Sequence, residues 1–158
     1  MKKFGIELKW GVIFALVTLL WMVLEKQLGW HDELISKHAV YTNFFAIVAI
    51  ALYVVALFDK RKNFYNGKMT WFQGFLTGIG ISAVIAILSP LNQYIINAFI
   101  SPEYFSNAIT FAVSEEKMIQ EAAEKYFSLN SYMVQSVIGA LLMGAVTSAV
   151  VALITKRR

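Results

Sequence analysis

Two histidines, His31 and His38, flank Asp32, Glu33 and Lys37 in a polar stretch after the first apolar run. Imidazole and carboxylate groups together hold zinc and related ions, so these are the first residues to weigh for chemistry. Their spacing is not the i, i+4 pair of a helical metal motif, and the stretch reads as an exposed loop. No metal is therefore expected. The chain has no cysteine, which removes thiolate ligands, thiol nucleophiles and disulfides together. There is no G-x-S-x-G, no H-E-x-x-H and no apolar segment carrying a histidine or aspartate pair that would activate a nucleophile or water. Neither catalysis nor a cofactor is expected.

A second set of polar residues is embedded in apolar surroundings. Glu25 lies near one end of the first apolar run, Asn43 near the start of the second, Ser89, Gln93 and Asn97 at four-residue spacing along the third, and Gln135 early in the fourth. Two readings stand side by side. Glu25 anchors at the interface or pairs within the adjoining loop, where charge is cheap; or all six line a polar pocket for a small polar ligand or a cation, with Pro90 supplying the interrupted helix such sites use.

The elements that would position these residues follow from hydropathy. Of 158 residues 58% are hydrophobic and only 15% charged, against about half and a quarter in soluble domains. Four apolar runs predict spanning helices at about 8–28, 39–58, 71–92 and 131–155, each near the roughly 20 residues that cross a bilayer. The expected architecture is all-α, a single-domain integral membrane four-helix bundle. Met1-Lys2-Lys3 before the first run, with no A-x-A-like cleavage site after Leu28, reads as an uncleaved signal-anchor.

Orientation follows from basic residues, which are retained on the cytoplasmic side. Lys2, Lys3, Lys9, Lys60, Arg61, Lys62, Lys68, Lys156, Arg157 and Arg158 fall at one end of the predicted spans, and only Lys26, Lys37, Lys117 and Lys125 at the other. Both termini are therefore expected in the cytoplasm. The net charge of +4 reads as loops meeting anionic lipid headgroups, not nucleic acid.

Local signals sharpen the boundaries. The first helix should stop at Gly29, a residue that tolerates the left-handed conformation. Asp59-Lys60-Arg61-Lys62 should close the second, and Thr70-Trp71-Phe72-Gln73 fits a capping box opening the third. That third run, from Trp71 to Ile100, is longer than a span needs, so a kink or break is expected at Pro90. In the long third loop Ser114-Glu115-Glu116 reads as a helix start, followed by Met118, Ile119, Ala122, Ala123, Tyr126 and Phe127 at helical spacing, a short amphipathic helix. Trp10, Trp30, Trp71, Tyr41, Tyr94 and Tyr104 read as interfacial aromatic belts.

Small residues recur every four positions on two of the helices. Gly74, Gly78, Ser82 and Ala86 mark the third, and Ser136, Ala140, Gly144, Ser148 and Ala152 the fourth. Such stripes let helix backbones approach closely in lipid, either within one chain or in a homo-oligomer or a complex with another membrane protein.

Glu25-Lys26-Gln27-Leu28-Gly29-Trp30-His31, then Phe72-Gln73-Gly74 with Gly78 after the basic loop and Gly67, then Ile100-Ser101-Pro102-Glu103-Tyr104, occur in this order. In these motifs, and over nearly its whole length, the chain resembles the bacterial membrane family named domain of unknown function 4199. The resemblance implies a small bacterial inner-membrane protein and brings no functional residues with it. The expected function is a non-enzymatic membrane module that packs with itself or a protein partner, with a small transporter, channel or ligand-binding protein as the alternative.

Overall fold

The computed structural model describes residues 4–157. The basic start at Lys2 and Lys3 and the terminal Arg158 lie outside them. Four helices are long and apolar enough to cross a membrane: α1 (Gly5–Gln27), α3 (Phe45–Asn63), α4 (Trp71–Ile95) and α7 (Leu129–Thr155). Three short helices join them at one end: α2 (Ile35–Tyr41), which runs into α3 through a single tight turn, α5 (Tyr104–Ser114) and α6 (Gln120–Tyr126). The molecule is an all-α, multi-pass membrane protein.

The small-residue stripes face one another. A Cβ on Gly78 would fall 2.1 Å from Ser148 Oγ, one on Gly144 2.1 Å from Ser82 Oγ, and one on Gly74 3.1 Å from the Ala152 Cβ. Each step of four along α4 is matched by four in reverse along α7, so the two helices pack antiparallel with backbones in close approach. Close approach also seats α1 on α4, where a Cβ on Gly11 would meet the Val84 side chain at 2.5 Å and one on Gly80 the Glu7 side chain at 3.0 Å. There the numbering runs in the same sense, making α1 and α4 parallel.

At the end of the bundle carrying Asp59-Lys60-Arg61-Lys62, this basic cluster does not close a helix but forms the last turn of α3. Lys60 is 2% exposed and its Nζ donates to both oxygens of buried Glu7, at 2.7 and 2.9 Å. The expectation that this lysine meets headgroups fails because a partner carboxylate on α1 lies within reach. Arg61 donates to the Thr155 carbonyl at 2.8 Å, and Met69 and Arg157 exchange backbone hydrogen bonds at 2.9 and 2.8 Å, so α3, α4 and α7 are tied together here.

The Thr70–Gln73 capping box is present and opens α4. Of the kink or break expected at Pro90, the break is absent. Helix α4 continues through Pro90 to Ile95 and widens into a π turn over Ile96–Ile100 before Ser101-Pro102 ends it. Neighbouring helices and side chains support a proline within a membrane helix, and Asn92 of the next turn donates to the Ala15 carbonyl of α1 at 2.9 Å.

Ser114 also departs from expectation, since it ends α5 instead of starting a helix. Glu116 takes a positive φ of 53°, and Glu116 N and Lys117 N donate back to the Val113 and Ala112 carbonyls at 3.0 and 2.9 Å. That paired return is the Schellman closure of a helix end, here with a non-glycine residue at the left-handed position. The amphipathic element is thus two helices, α5 presenting buried Ala108 and Ala112 and α6 presenting fully buried Ala123. The extended Ser128 separates α6 from α7 and caps α7 through its hydroxyl.

Candidate functional site: a His-Glu cluster on a polar cavity

Helix α1 ends as its glycine requires. Gly29 has φ 74°, Gly29 N donates to the Lys26 carbonyl at 3.1 Å and Trp30 N to the Glu25 carbonyl at 3.0 Å, again a Schellman closure. The Trp30 ring then packs edge-on against Trp21 at 6.4 Å. This tight return sends the chain back over the turn it has just left, which is why residue 31 meets residue 25.

His31 is 2% exposed, far from the open loop its sequence context suggests, and Glu25 is 0% exposed. His31 Nε2 hydrogen-bonds Glu25 Oε2 at 3.0 Å, and Trp21 Nε1 donates to Glu25 Oε1. Helix α2, starting inside the stretch expected to be loop, brings His38 to the same carboxylate, with Nδ1 3.5 Å from Oε2. Glu25 is therefore no interfacial anchor reaching for headgroups. It is a buried carboxylate encircled by two imidazoles and an indole.

Helix α5 closes the cluster from the other side. Tyr104 packs its ring against His31 and His38, at 5.2 and 5.1 Å, and is part of the site instead of a belt. Burial above all holds its hydroxyl above the usual tyrosine range, so it stays neutral, sharing a 3.1 Å hydrogen bond with Tyr132 of α7. Asn107, one turn further along α5, donates to the His31 carbonyl at 3.0 Å and to Asp32 at 3.1 Å, while Lys26 holds Asp32 from below at 2.6 and 2.9 Å. Nothing in the linear spacing of Tyr104, Asn107 and Tyr132 announces these roles; the Ser101-Pro102 stop ahead of α5 is the nearest local signal.

The two histidines and Tyr104 form one wall of a cavity of about 680 Å³. Asn43, Gln93, Asn97 and Gln135, from three different helical segments, line the same space. Glu25 and Ser89 do not: Glu25 is fully covered against His31, and the Ser89 hydroxyl returns to the Ile85 carbonyl at 2.8 Å, Ser89 lining a smaller cavity of about 210 Å³ nearer the middle of the bundle. The two cavities share Gln93, Ile96 and Ser136. Beyond them the smaller space is lined mostly by apolar side chains, with Tyr53, Ser89 and Thr147 among its polar groups. Ala140 lines the deeper space, and Ser136 both, so the α7 stripe turns from helix contact to cavity wall at this end.

Among the described residues, the buried side-chain polar atoms without a hydrogen-bond partner are His31 Nδ1, His38 Nδ1 and Ser101 Oγ. All three belong to residues of the larger cavity's wall. A buried polar group left unpaired costs about 1–3 kcal/mol, and these atoms are covered from solvent, lying behind the cavity surface and not on it.

Fold and site together define a multi-pass, all-α membrane protein with a polar cavity at the end of the bundle opposite its basic cluster. The chain belongs to the family described as "Protein of unknown function (DUF4199)", whose sequence model matches residues 9–157. No curated protein and no solved structure matches the chain.

Proposed function

We propose that this is a non-enzymatic bacterial inner-membrane protein that binds a small polar solute in a pocket opening away from the cytoplasm. The observation that carries the reading is one cavity of about 680 Å³ on which Asn43, Gln93, Asn97 and Gln135 converge from three helical segments, beside Tyr104, Tyr132 and the two histidines. Such a volume suits a small ligand, and pockets of this kind pair an apolar lining with a few placed polar groups. Gln93 and Asn97 offer amides that bond no other described side chain, and Tyr104, Tyr132 and Gln135 add further hydrogen-bonding groups around them. The deeper cavity beyond Gln93 gives the solute a direction in which to move, which favours uptake or export over a passive scaffold.

Orientation rests on seven described basic residues at the Lys60 end, Lys9, Lys60, Arg61, Lys62, Lys68, Lys156 and Arg157, against four at the cavity end. The packing-module reading is weaker, since the stripes proposed for self-association are already occupied by α4 and α7 against each other.

The cysteine-free chain allows a direct test. Single cysteines at Gln93 and Asn97 should react with a charged, membrane-impermeant methanethiosulfonate applied from outside, whereas one at lipid-facing Ile87, exposed on the bundle exterior, should not. Absence of reaction at both Gln93 and Asn97 would remove the pocket.

A further inference from the structure

We infer that Glu25, His31 and His38 form a binding site for a divalent transition-metal ion of the zinc class, set in the wall of the cavity. The site stands on the geometry of these three residues and does not require the cavity to bind a solute.

The composition makes the convergence pointed. The chain contains two histidines and no cysteine, so every strong zinc-class donor other than carboxylates lies in this one place, seven positions apart in sequence and in ring contact at 5.2 Å. One donor atom from each of the three side chains lies within 4.8 Å of the other two. A tetrahedral ion with bonds of about 2.0–2.1 Å places its ligand atoms about 3.3 Å apart. Here His31 Nε2 and His38 Nδ1 stand 3.0 and 3.5 Å from Glu25 Oε2, two edges of that tetrahedron nearly formed.

The hydrogen bonding points the same way. Two imidazoles compete for one carboxylate oxygen, and only His31 Nε2 is hydrogen-bonded to it. His38 Nδ1 is buried, 3.5 Å from the same oxygen, and makes none. With His38 Nδ1 deprotonated, as a metal ligand is, its lone pair and that of the carboxylate repel, and a cation between them satisfies all three donors at once. Two neutral imidazoles and one carboxylate are a recurrent three-ligand set that leaves a fourth position open, and both rings line the cavity, so a fourth donor would come from that side. Trp21 Nε1 donating to Glu25 Oε1 supplies the supporting hydrogen bond that fixes a ligating carboxylate.

The test uses the full chain purified in detergent with any polyhistidine tag removed. Titration with Zn²⁺ should give one equivalent per chain, raise thermal stability, and be reversed by a chelator. Co²⁺ should bind with the intense visible absorption of a four-coordinate site. His38→Gln and Glu25→Gln should each weaken Zn²⁺ binding at least about 100-fold, since even outer-shell losses cost 10–100-fold, while Glu33→Gln in the same loop should leave it unchanged. X-ray absorption on the Zn²⁺-loaded wild type needs no variant, and should show two imidazoles, which in this chain can only be His31 and His38. Absence of stoichiometric binding, unchanged affinity in both ligand variants, or scattering from fewer than two imidazoles would overturn the site.

Discussion

Gly78 of α4 lies so close to Ser148 of α7 that a methyl group on it would fall 2.1 Å from the serine hydroxyl, and Gly144 meets Ser82 at the same 2.1 Å in the reverse sense. The pair is a reciprocal lock between antiparallel helices. Gly78→Ala and Gly144→Ala should therefore each destabilise by about 1–3 kcal/mol, the usual scale of overpacking. Gly139→Ala, on the same α7 with nothing within 4 Å of the new Cβ, should be neutral or mildly stabilising, because alanine is the better helix former. Denaturation in mixed detergent compares the three, and equal tolerance would refute the lock.

The Glu7–Lys60 pair is buried on both sides, and breaking it by one substitution strands a charge. Glu7→Met or Lys60→Met alone should cost about 3–5 kcal/mol, whereas the double variant should recover much of that loss, since an apolar replacement of both removes the desolvation cost along with the attraction. A double-mutant cycle measures the difference. Additive losses would show the pair to be uncoupled.

Asn107 fastens α5 to the backbone of His31 and to Asp32. Asn107→Ala should cost on the order of 1 kcal/mol and loosen the return after α1, seen as faster amide hydrogen exchange over residues 29–34 with the transmembrane helices unchanged. Unaltered exchange there would mean that Gly29 and the Lys26–Asp32 pair hold the return unaided.

Membrane orientation is checked by labelling exposed positions at the two ends. Single cysteines at Glu33 or Glu115 should react with an impermeant maleimide from outside intact cells, and one at Lys62 only after permeabilisation. The reverse pattern would invert the proposed topology and turn the cavity towards the cytoplasm.

The sequence by itself determined what depends on contiguous residues. Four apolar runs give four long helices because lipid leaves a backbone no partner but itself; Thr70 and Gln73 cap α4 because side chain and amide are three residues apart; Gly29 ends α1 because only its neighbours decide that turn. Asn43, Gln93, Asn97 and Gln135 were legible as polar groups at one end of the spans for the same reason. What failed locally failed where a distant element intervened. Lys60 read as a headgroup contact until α1 placed Glu7 against it, and Pro90 read as a break although α1 and α4 pack across that turn. The His-Glu cluster was decided by tertiary structure alone. Residues 25, 31 and 38 share no single helical face, and they meet because a Schellman turn folds the chain back, α2 begins early enough to swing His38 inward, and α5 arrives about seventy residues later to cover them with Tyr104. Burial turns a loop histidine into a candidate ligand, and burial is a property of the assembled bundle, not of the spacing between letters.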